Sequence, residues 1–238
     1  MDLKEIDILG SEITHHWYYR SKAAAMTSLI DRSAPSIILD VGAGSGFFSR
    51  YLLGHTTAQE AWCVDISQEV DSDALEMGKP VHYRRSVEAV DANLILFMDV
   101  LEHVEDDVGL LADYVRKVPK GARFVISVPA FRFLWSGHDE FLEHKRRYTR
   151  HQLENVVRRA GLSLKQAVYY FGLVFPIAVV TRLVGKWFQS RNRRPESQLK
   201  RHSHVVNSAL TALCRIELPV LTLNRLAGLT VFCLATRT

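Results

Sequence analysis

The segment Ile38 to Gly46, ILDVGAGSG, constrains the fold of this chain more than any other. An apolar run ends in Asp40, and glycines follow at alternate positions, Gly42, Gly44 and Gly46. A buried strand feeding such a turn brings bare backbone against a ligand, because a Cβ would block the approach. The carboxyl end of a first parallel strand is where a nucleotide-type ligand binds. The spacing is not that of a dinucleotide fingerprint, whose third glycine comes three residues after the second. Here it comes after two, and Phe47 follows.

The remaining pattern is that of an α/β fold. A helix is expected over 12–31, a strand over Ser36 to Asp40, and a helix from Phe47 to Leu53. Further strands are expected at Glu60 to Asp65, Val81 to Arg84 and Ala92 to Met98, the last with a continuous apolar run from Leu94, as a two-sided buried strand should have. A helix over Asp106 to Lys117 leads to a fifth strand at Ala122 to Val128. Thr149 is a helix cap for Arg150 to Ala160, and Gly161 ends that helix. Leu162 to Tyr170 and Leu229 to Thr236 are strands six and seven. Strands alternating with helices predict a Rossmann-like, seven-stranded, mostly parallel sheet with helices on both faces.

One segment does not fit this alternation. Residues 172–226 read as a helical insertion between strands six and seven, apolar from Phe171 to Val184, basic from Lys186 to Arg201 and amphipathic from Val205 to Leu226. The apolar run is shorter than the roughly 20 residues of a spanning helix. It reads as a cap that contacts a hydrophobic acceptor, a membrane surface or a second subunit, and monomer and homodimer are both compatible with it.

With 238 residues, 47% of them hydrophobic and 24% charged, the chain has ample material for one large domain, and its net charge of +4 is mild. Cys63, Cys214 and Cys233 are scattered, without metal-ligand spacing, which reads as reduced thiols in a cytoplasmic protein. The first ten residues lack the basic and apolar regions of a signal peptide.

Asp40, Gly42, Gly44 and Gly46 match in full the (D/E)-x-G-x-G-x-G motif of class I S-adenosylmethionine-dependent methyltransferases, and the chain resembles that family. The resemblance implies S-adenosylmethionine as cofactor and S-adenosylhomocysteine as product. Gly42, Ala43, Gly44 and Gly46 would then cradle the cofactor, with Asp40 supporting the loop. Asp65, at the end of the second strand and about 20 residues past the turn, is placed to accept from both ribose hydroxyls. A local cap shared with Ser67 is its alternative role. Ile66 follows it, and Ser86 and Val87 stand at the adenine position, Ser86 replacing the acid common there.

Three further stretches carry the resemblance. Asp99-Val100-Leu101-Glu102-His103-Val104 resembles the fourth motif of ubiquinone-type and related small-molecule methyltransferases, which sets Asp99 and Val100 beside the reactive methyl. In that group an acid-x-x-Glu-His cluster is associated with a divalent metal, and Asp99, Glu102 and His103 match it. Bracing of the loop by the same side chains is the competing reading, and no metal is assigned. The stretch from Ser127 to Tyr148 resembles a bacterial V-P-A-F-x-x-L-W-S-x-H-D…H-x-R-R-Y-T signature. It places Trp135, Asp139, Arg147 and Tyr148 on the substrate side, with His138 and His144, alongside His103, as candidate bases. A polar brace joining Asp139 to Arg147 is the alternative. Finally, His15 to Arg20 resembles the H-W-W-F-R stretch of a helix that closes over the cofactor. This implies that segment 1–35 covers the cofactor, that Arg20 pairs with the methionine carboxylate and that Trp17 or Tyr19 walls the pocket, with packing of the aromatics on the core as the alternative.

The function expected is methyl transfer to a small, hydrophobic or lipid-like acceptor at an O, N or C nucleophile, with peripheral membrane contact as one option. The alternatives are methylation of RNA or another nucleic acid, and non-catalytic cofactor binding. Nucleic acid is not the expected partner, because Asp99-Val100-Leu101-Glu102 stands where an amino-methylating enzyme would carry an N/D-P-P-Y/F motif.

Overall fold

The computed structural model describes residues 10–30, 35–188 and 203–238. Residues 1–9 and 31–34, and the basic Arg191, Arg193, Arg194, Lys200 and Arg201 read from the sequence, lie outside them.

After a 3-10 turn at Gly10–Thr14, helix α1 spans Trp17–Leu29. Strand β1 (Ile37–Val41) leads through the glycine turn into α2 (Phe47–His55). The chain continues with β2 (Glu60–Val64), β3 (Ser72–Glu76), β4 (Lys79–Arg84) and β5 (Leu94–Met98). Then come α3 (Asp107–Arg116), β6 (Arg123–Pro129), the short α4 (Gly137–Phe141), α5 (Arg150–Arg159) and β7 (Leu162–Tyr170). Helices α6 (Phe175–Phe188) and α7 (His204–Glu217) precede β8 (Thr230–Arg237).

The strands form one sheet in the order β3-β4-β2-β1-β5-β6-β8-β7. From β4 to β6 neighbours are parallel, while β8 is antiparallel to both β6 and β7. The strand order reverses at β1, so the turn after β1 opens at the switch point where α/β sheets bind ligands. β1 is central: Asp40 stands opposite Cys63 of β2 and Leu96 of β5. Its side chains alternate between two cores. Ile38 packs with Met26, Leu52 and Phe232 on the face that carries α1, α2 and α7. Leu39 packs with Leu111, Leu153 and Val157 on the face that carries α3 and α5. A strand buried on both sides has to be apolar without alternation, as Ile37 to Leu39 is.

The sheet has eight strands where seven are expected. The extra one, β3, is an exposed edge strand paired antiparallel with β4. Met77 and Gly78, at φ 52° and 79°, form the two-residue turn between them. Two positive φ values in succession make a hairpin turn whose twist suits the flanking strands.

The insertion is helical in its described parts. α7 continues into a 3-10 turn at Leu218–Leu223. Asn207 fastens it to the start of α1, accepting from the Trp17 amide at 2.7 Å and donating to the His15 carbonyl at 2.7 Å.

The glycine turn is tight for two reasons. Gly42, Gly44 and Gly46 have φ of 66°, 53° and 72°. A Cβ on Gly42 would also sit 2.7 Å from Val100 Cγ2. Gly42→Ala therefore adds left-handed strain to a collision, and a loss of about 1–3 kcal/mol is expected in urea unfolding. Adding Val100→Ala should return the collision part and leave the strain. Equal stability of the single and double variants would contradict this reading.

Candidate active site

The glycine turn is held by backbone and by two carboxylates. Gly42 and Ala43 amides donate to the Val64 carbonyl at 2.7 and 3.2 Å, tying the turn to the end of β2. Asp40, buried, accepts from Ser49 Oγ on α2 at 2.6 Å. Asp65 accepts from the Gly44 amide at 2.8 Å, and from the Ser67 amide at 2.9 Å and hydroxyl at 2.5 Å. Burial would raise the Asp65 pKa, but these donors, Ser67 foremost, hold it below the ordinary carboxylate range. Asp65 therefore presents a fixed, ionised acceptor beside the loop. The Ser67 cap and the link to Gly44 coexist in one side chain.

At the carboxyl end of β5 the chain turns sharply: Asp99 has φ 58°. A left-handed conformation at a residue other than glycine stores strain, and Asp is among the side chains that tolerate it best. The turn brings the Asp99 carboxylate to Lys22 Nζ, with a second bond from Ser127 Oγ at 3.3 Å. Lys22 is fully buried and also donates to the Tyr18 hydroxyl at 3.2 Å. Burial by itself would lower the ammonium's pKa, but Asp99 outweighs it and the pKa is raised. This pair joins α1 to the switch point.

Beyond Asp99 opens a cavity of about 510 Å³. Its polar end holds Asp99, Glu102, His138, His144 and Arg147, and its apolar walls include Trp17, Leu142, Val174 and Ile177. Such a volume suits a small-molecule ligand. Asp139 organises the polar end. Its buried carboxylate accepts from Arg147 Nε at 2.6 Å and Nη2 at 3.0 Å, from His144 Nδ1 at 2.9 Å and from the Ser136 amide at 2.9 Å. Burial pushes the Asp139 pKa up, yet the bonds from His144 and Arg147 prevail and hold it far below the usual range. An ionised carboxylate only accepts, so Nδ1 of His144 carries hydrogen, and in the neutral imidazole the lone pair lies on Nε2. His138, also on the cavity, is driven by burial from 6.5 down to about 4, so it is neutral at pH 7.

Glu102 is fully buried, and neither carboxyl oxygen has a hydrogen-bond partner among the described residues. Burial first, and the Asp99 carboxylate second, push its pKa well above the ordinary range. Ligand atoms of Glu102, His103 and His144 lie within 4.8 Å of one another. His144, not Asp99, therefore groups with Glu102 and His103, because Asp99 is bonded to Lys22.

The structure brings His138, His144, Arg147, Trp17 and Asp99 to one cavity, and His103 stacks edge-on against His144 at 4.8 Å. Val100 lies directly beneath Gly42. Ile66 is exposed beside Asp65, Ser86 is exposed after β4, and Val87 packs partly into the core. Four expectations need correction. Arg20 is exposed, whereas Lys22 points inward. Two residues along a helix are about 200° apart, so only one of them can face the site. Tyr148 is a brace, its buried hydroxyl donating to Leu101 O at 3.1 Å and Asp107 Oδ2 at 2.8 Å. Trp135 is not among the residues lining the cavity. Asp139 lies behind His144 and Arg147 and acts through them. The reading from sequence missed Lys22, whose signal is a lone cation in the Ala-rich Ser21 to Met26 stretch of α1.

The fold and the paired glycine turn and switch-point loop define a class I methyltransferase. The chain belongs to the methyltransferase domain family, whose model matches residues 15–167. It is an S-adenosylmethionine-dependent methyltransferase. A search of curated proteins finds no match. Solved structures share the fold at low identity. An S-adenosylmethionine-dependent methyltransferase from Mesorhizobium loti aligns with a TM-score of 0.55 and 15% identity, over 91% of this chain and 98% of that one. A chain of the Haloferax volcanii complex between the Trm112 methyltransferase activator and a methyltransferase aligns at 0.58 and 14%, over 94% and 91%. Haemonchus contortus phosphoethanolamine N-methyltransferase 2, solved with S-adenosyl-L-methionine, aligns at 0.56 and 14%, over 100% of this chain and 60% of that one.

Two outcomes follow from the site's charges. Lys22→Met should cost about 3 kcal/mol in urea unfolding, because it strands Asp99. Asp99→Asn added to it should recover part of that loss, and strict additivity would contradict a coupled pair. His138 binds protons less readily folded than unfolded. Its contribution is therefore fully present above about pH 6.5 and is lost as pH falls toward about 4. His138→Gln should flatten the stability profile in that window by up to about 3 kcal/mol. An unchanged slope would contradict it.

Proposed function

We propose that this methyltransferase acts on a small molecule held in the cavity beyond Asp99, at an oxygen or nitrogen that carries a proton. The observation that carries this reading is His144 on the cavity wall, held from behind by Asp139 at 2.9 Å. When bound, S-adenosylmethionine supplies a methyl group already activated by its sulfonium. Gly42, Ala43, Gly44 and Gly46 would hold its backbone-facing parts and Asp65 its ribose. The Asp65 carboxylate, fixed beside the turn by Ser67 and the Gly44 amide, supports that fit as a hydrogen-bond acceptor. Asp99 and Lys22 shape the passage between the cofactor turn and the cavity.

With the cofactor held at Gly42 to Gly46 and Asp65, the acceptor's lone pair would bond to the methyl carbon as the carbon–sulfur bond broke, and S-adenosylhomocysteine would remain. The acceptor's proton passes to Nε2 of His144, whose tautomer Asp139 sets. Arg147 keeps Asp139 ionised. Trp17 and Val174 keep water from the reacting atoms. Proximity and alignment supply most of the rate, and a positioned base adds about 10²–10⁴-fold. We read the chain as cytoplasmic, which the buried thiols of Cys63, Cys214 and Cys233 support.

The test follows S-adenosylhomocysteine release with fractionated small-molecule extracts, together with calorimetry of S-adenosylmethionine. His144→Ala should slow release at least about 100-fold and leave cofactor affinity unchanged. Release at the wild-type rate would remove His144 as base. Turnover only with RNA fractions, weakening steeply with salt, would replace the small-molecule reading.

A further inference from the structure

α7 and the 3-10 turn after it form 20 consecutive residues, His204–Leu223, long and apolar enough to cross a membrane by length and composition. They do not stand free of the fold. Thr211, Cys214, Glu217 and Leu221 are buried against the body of the protein. The buried Glu217 carboxylate accepts from the Gly172 and Leu173 amides at 2.8 and 2.5 Å. The helix is thus tied down along one side and lies flat.

Its other side is apolar and open. Val205, Ala209, Ala212, Ile216, Val220 and Leu223 recur at steps of three and four residues and are all exposed. Val205, Ile216 and Leu223 are 79%, 67% and 76% exposed, and Leu226 just beyond is 90% exposed. A soluble surface helix normally turns such a stripe inward. α6 adds a second open row, with Ile177 and Val180 more than half exposed. The two helices flank one cavity: Ile177 and Ala178 line it from α6 and Leu210 from α7. Ile177 is both exposed and cavity-lining, so the cavity reaches the surface at an apolar rim.

Charge selects the occupant. Residues 172–226 carry nine Lys and Arg against two acids, Glu196 and Glu217, in a chain whose net charge is only +4. The rest of the protein is therefore net negative. Glu217 is buried and bonded, while Arg215 and Arg225 on this face are exposed. Among the described residues, apolar side chains flanked by cations and free of exposed acids match the boundary of an anionic bilayer, with side chains at acyl depth and cations at the phosphates.

We propose that the outer faces of α6 and α7 form a docking surface for anionic membranes, and that the acceptor is a bilayer-borne amphiphile entering the cavity past Ile177. The second half rests on the methyl-transfer reading and the first does not. The protein lies on the membrane with α7 in the interfacial plane, and the cavity opens toward the lipid. No acceptor has to leave the bilayer completely, because its tail stays in lipid while its head reaches His144.

The experiment is flotation of the full chain with vesicles of phosphatidylglycerol mixed with phosphatidylcholine, against phosphatidylcholine alone, using no methyl transfer. The protein should float with the anionic vesicles and less at high salt. Val220→Asp with Leu223→Asp should weaken partition at least about tenfold, with S-adenosylhomocysteine affinity kept as the check on folding. Protein left in the soluble fraction with both vesicle types would overturn the docking surface without touching the methyltransferase reading. So would a solution dimer that the same double variant turns to monomer with no vesicle binding, since the stripe would then be an interface between copies. Flotation of the wild type with no turnover of any lipid-extract acceptor would overturn the second half alone.

Discussion

The pair between buried Lys22 and Asp99 at the cavity edge is the contact on which the rest of the site depends. Lys22 sits on a helix that precedes the sheet, and Asp99 sits at the end of β5, 77 residues later. A buried ammonium without a counter-charge loses its proton, and Asp99 supplies that charge to Lys22. Together they fix α1 over the switch point and hold the left-handed turn at Asp99. That turn separates the glycine loop, beneath which Val100 packs, from the cavity that begins at the Asp99 carboxylate. A second contact, Asn207 to the start of α1, extends the same tie to α7. The helix before the sheet and the insertion near its end therefore close on the site as one unit.

The polar end of the cavity is built around a single ionised carboxylate. Asp139 receives Arg147, His144 and the Ser136 amide, so the loop from Ser136 to Arg147 cannot shift without breaking charged hydrogen bonds. Functional and structural readings of this loop are not rivals here. The brace that joins Arg147 to Asp139 is what orients His144. Glu102 differs in kind, being buried, unpartnered among the described residues and held toward its neutral form. A neutral carboxyl can donate as well as accept, which gives the cavity a polar contact that adds no charge.

Much of the fold was legible because its strands obey strong constraints. Ile37 to Leu39 and Leu94 to Met98 are apolar throughout, which only a two-sided buried strand requires, and β7 falls where it was read, at Leu162–Tyr170. β3 was missed because Ser72–Glu76 is an exposed edge strand with little apolar pattern, recognisable only from the Met77-Gly78 turn. In the site, Asp40, the glycines, Asp65 and Asp99 could be read from spacing along the chain. Lys22 could not be separated from Arg20 in that way, since the choice depends on which side of α1 faces Asp99. Tyr148 and Trp135 were drawn in by their nearness to His144 in sequence. Chain proximity in a loop does not determine direction, and the Tyr148 hydroxyl turns instead to Leu101 and Asp107.

The central claim is that the glycine turn and the His144 cavity are two halves of one site that meet at Asp99. A crystal structure with S-adenosylhomocysteine bound tests it directly. The ribose should lie on Asp65 and the sulfur should face the cavity past Asp99, leaving room for an acceptor atom about 3–3.5 Å from the missing methyl. A sulfur directed away from the cavity, or a ligand that bypasses the turn at Gly42 to Gly46, would contradict the account.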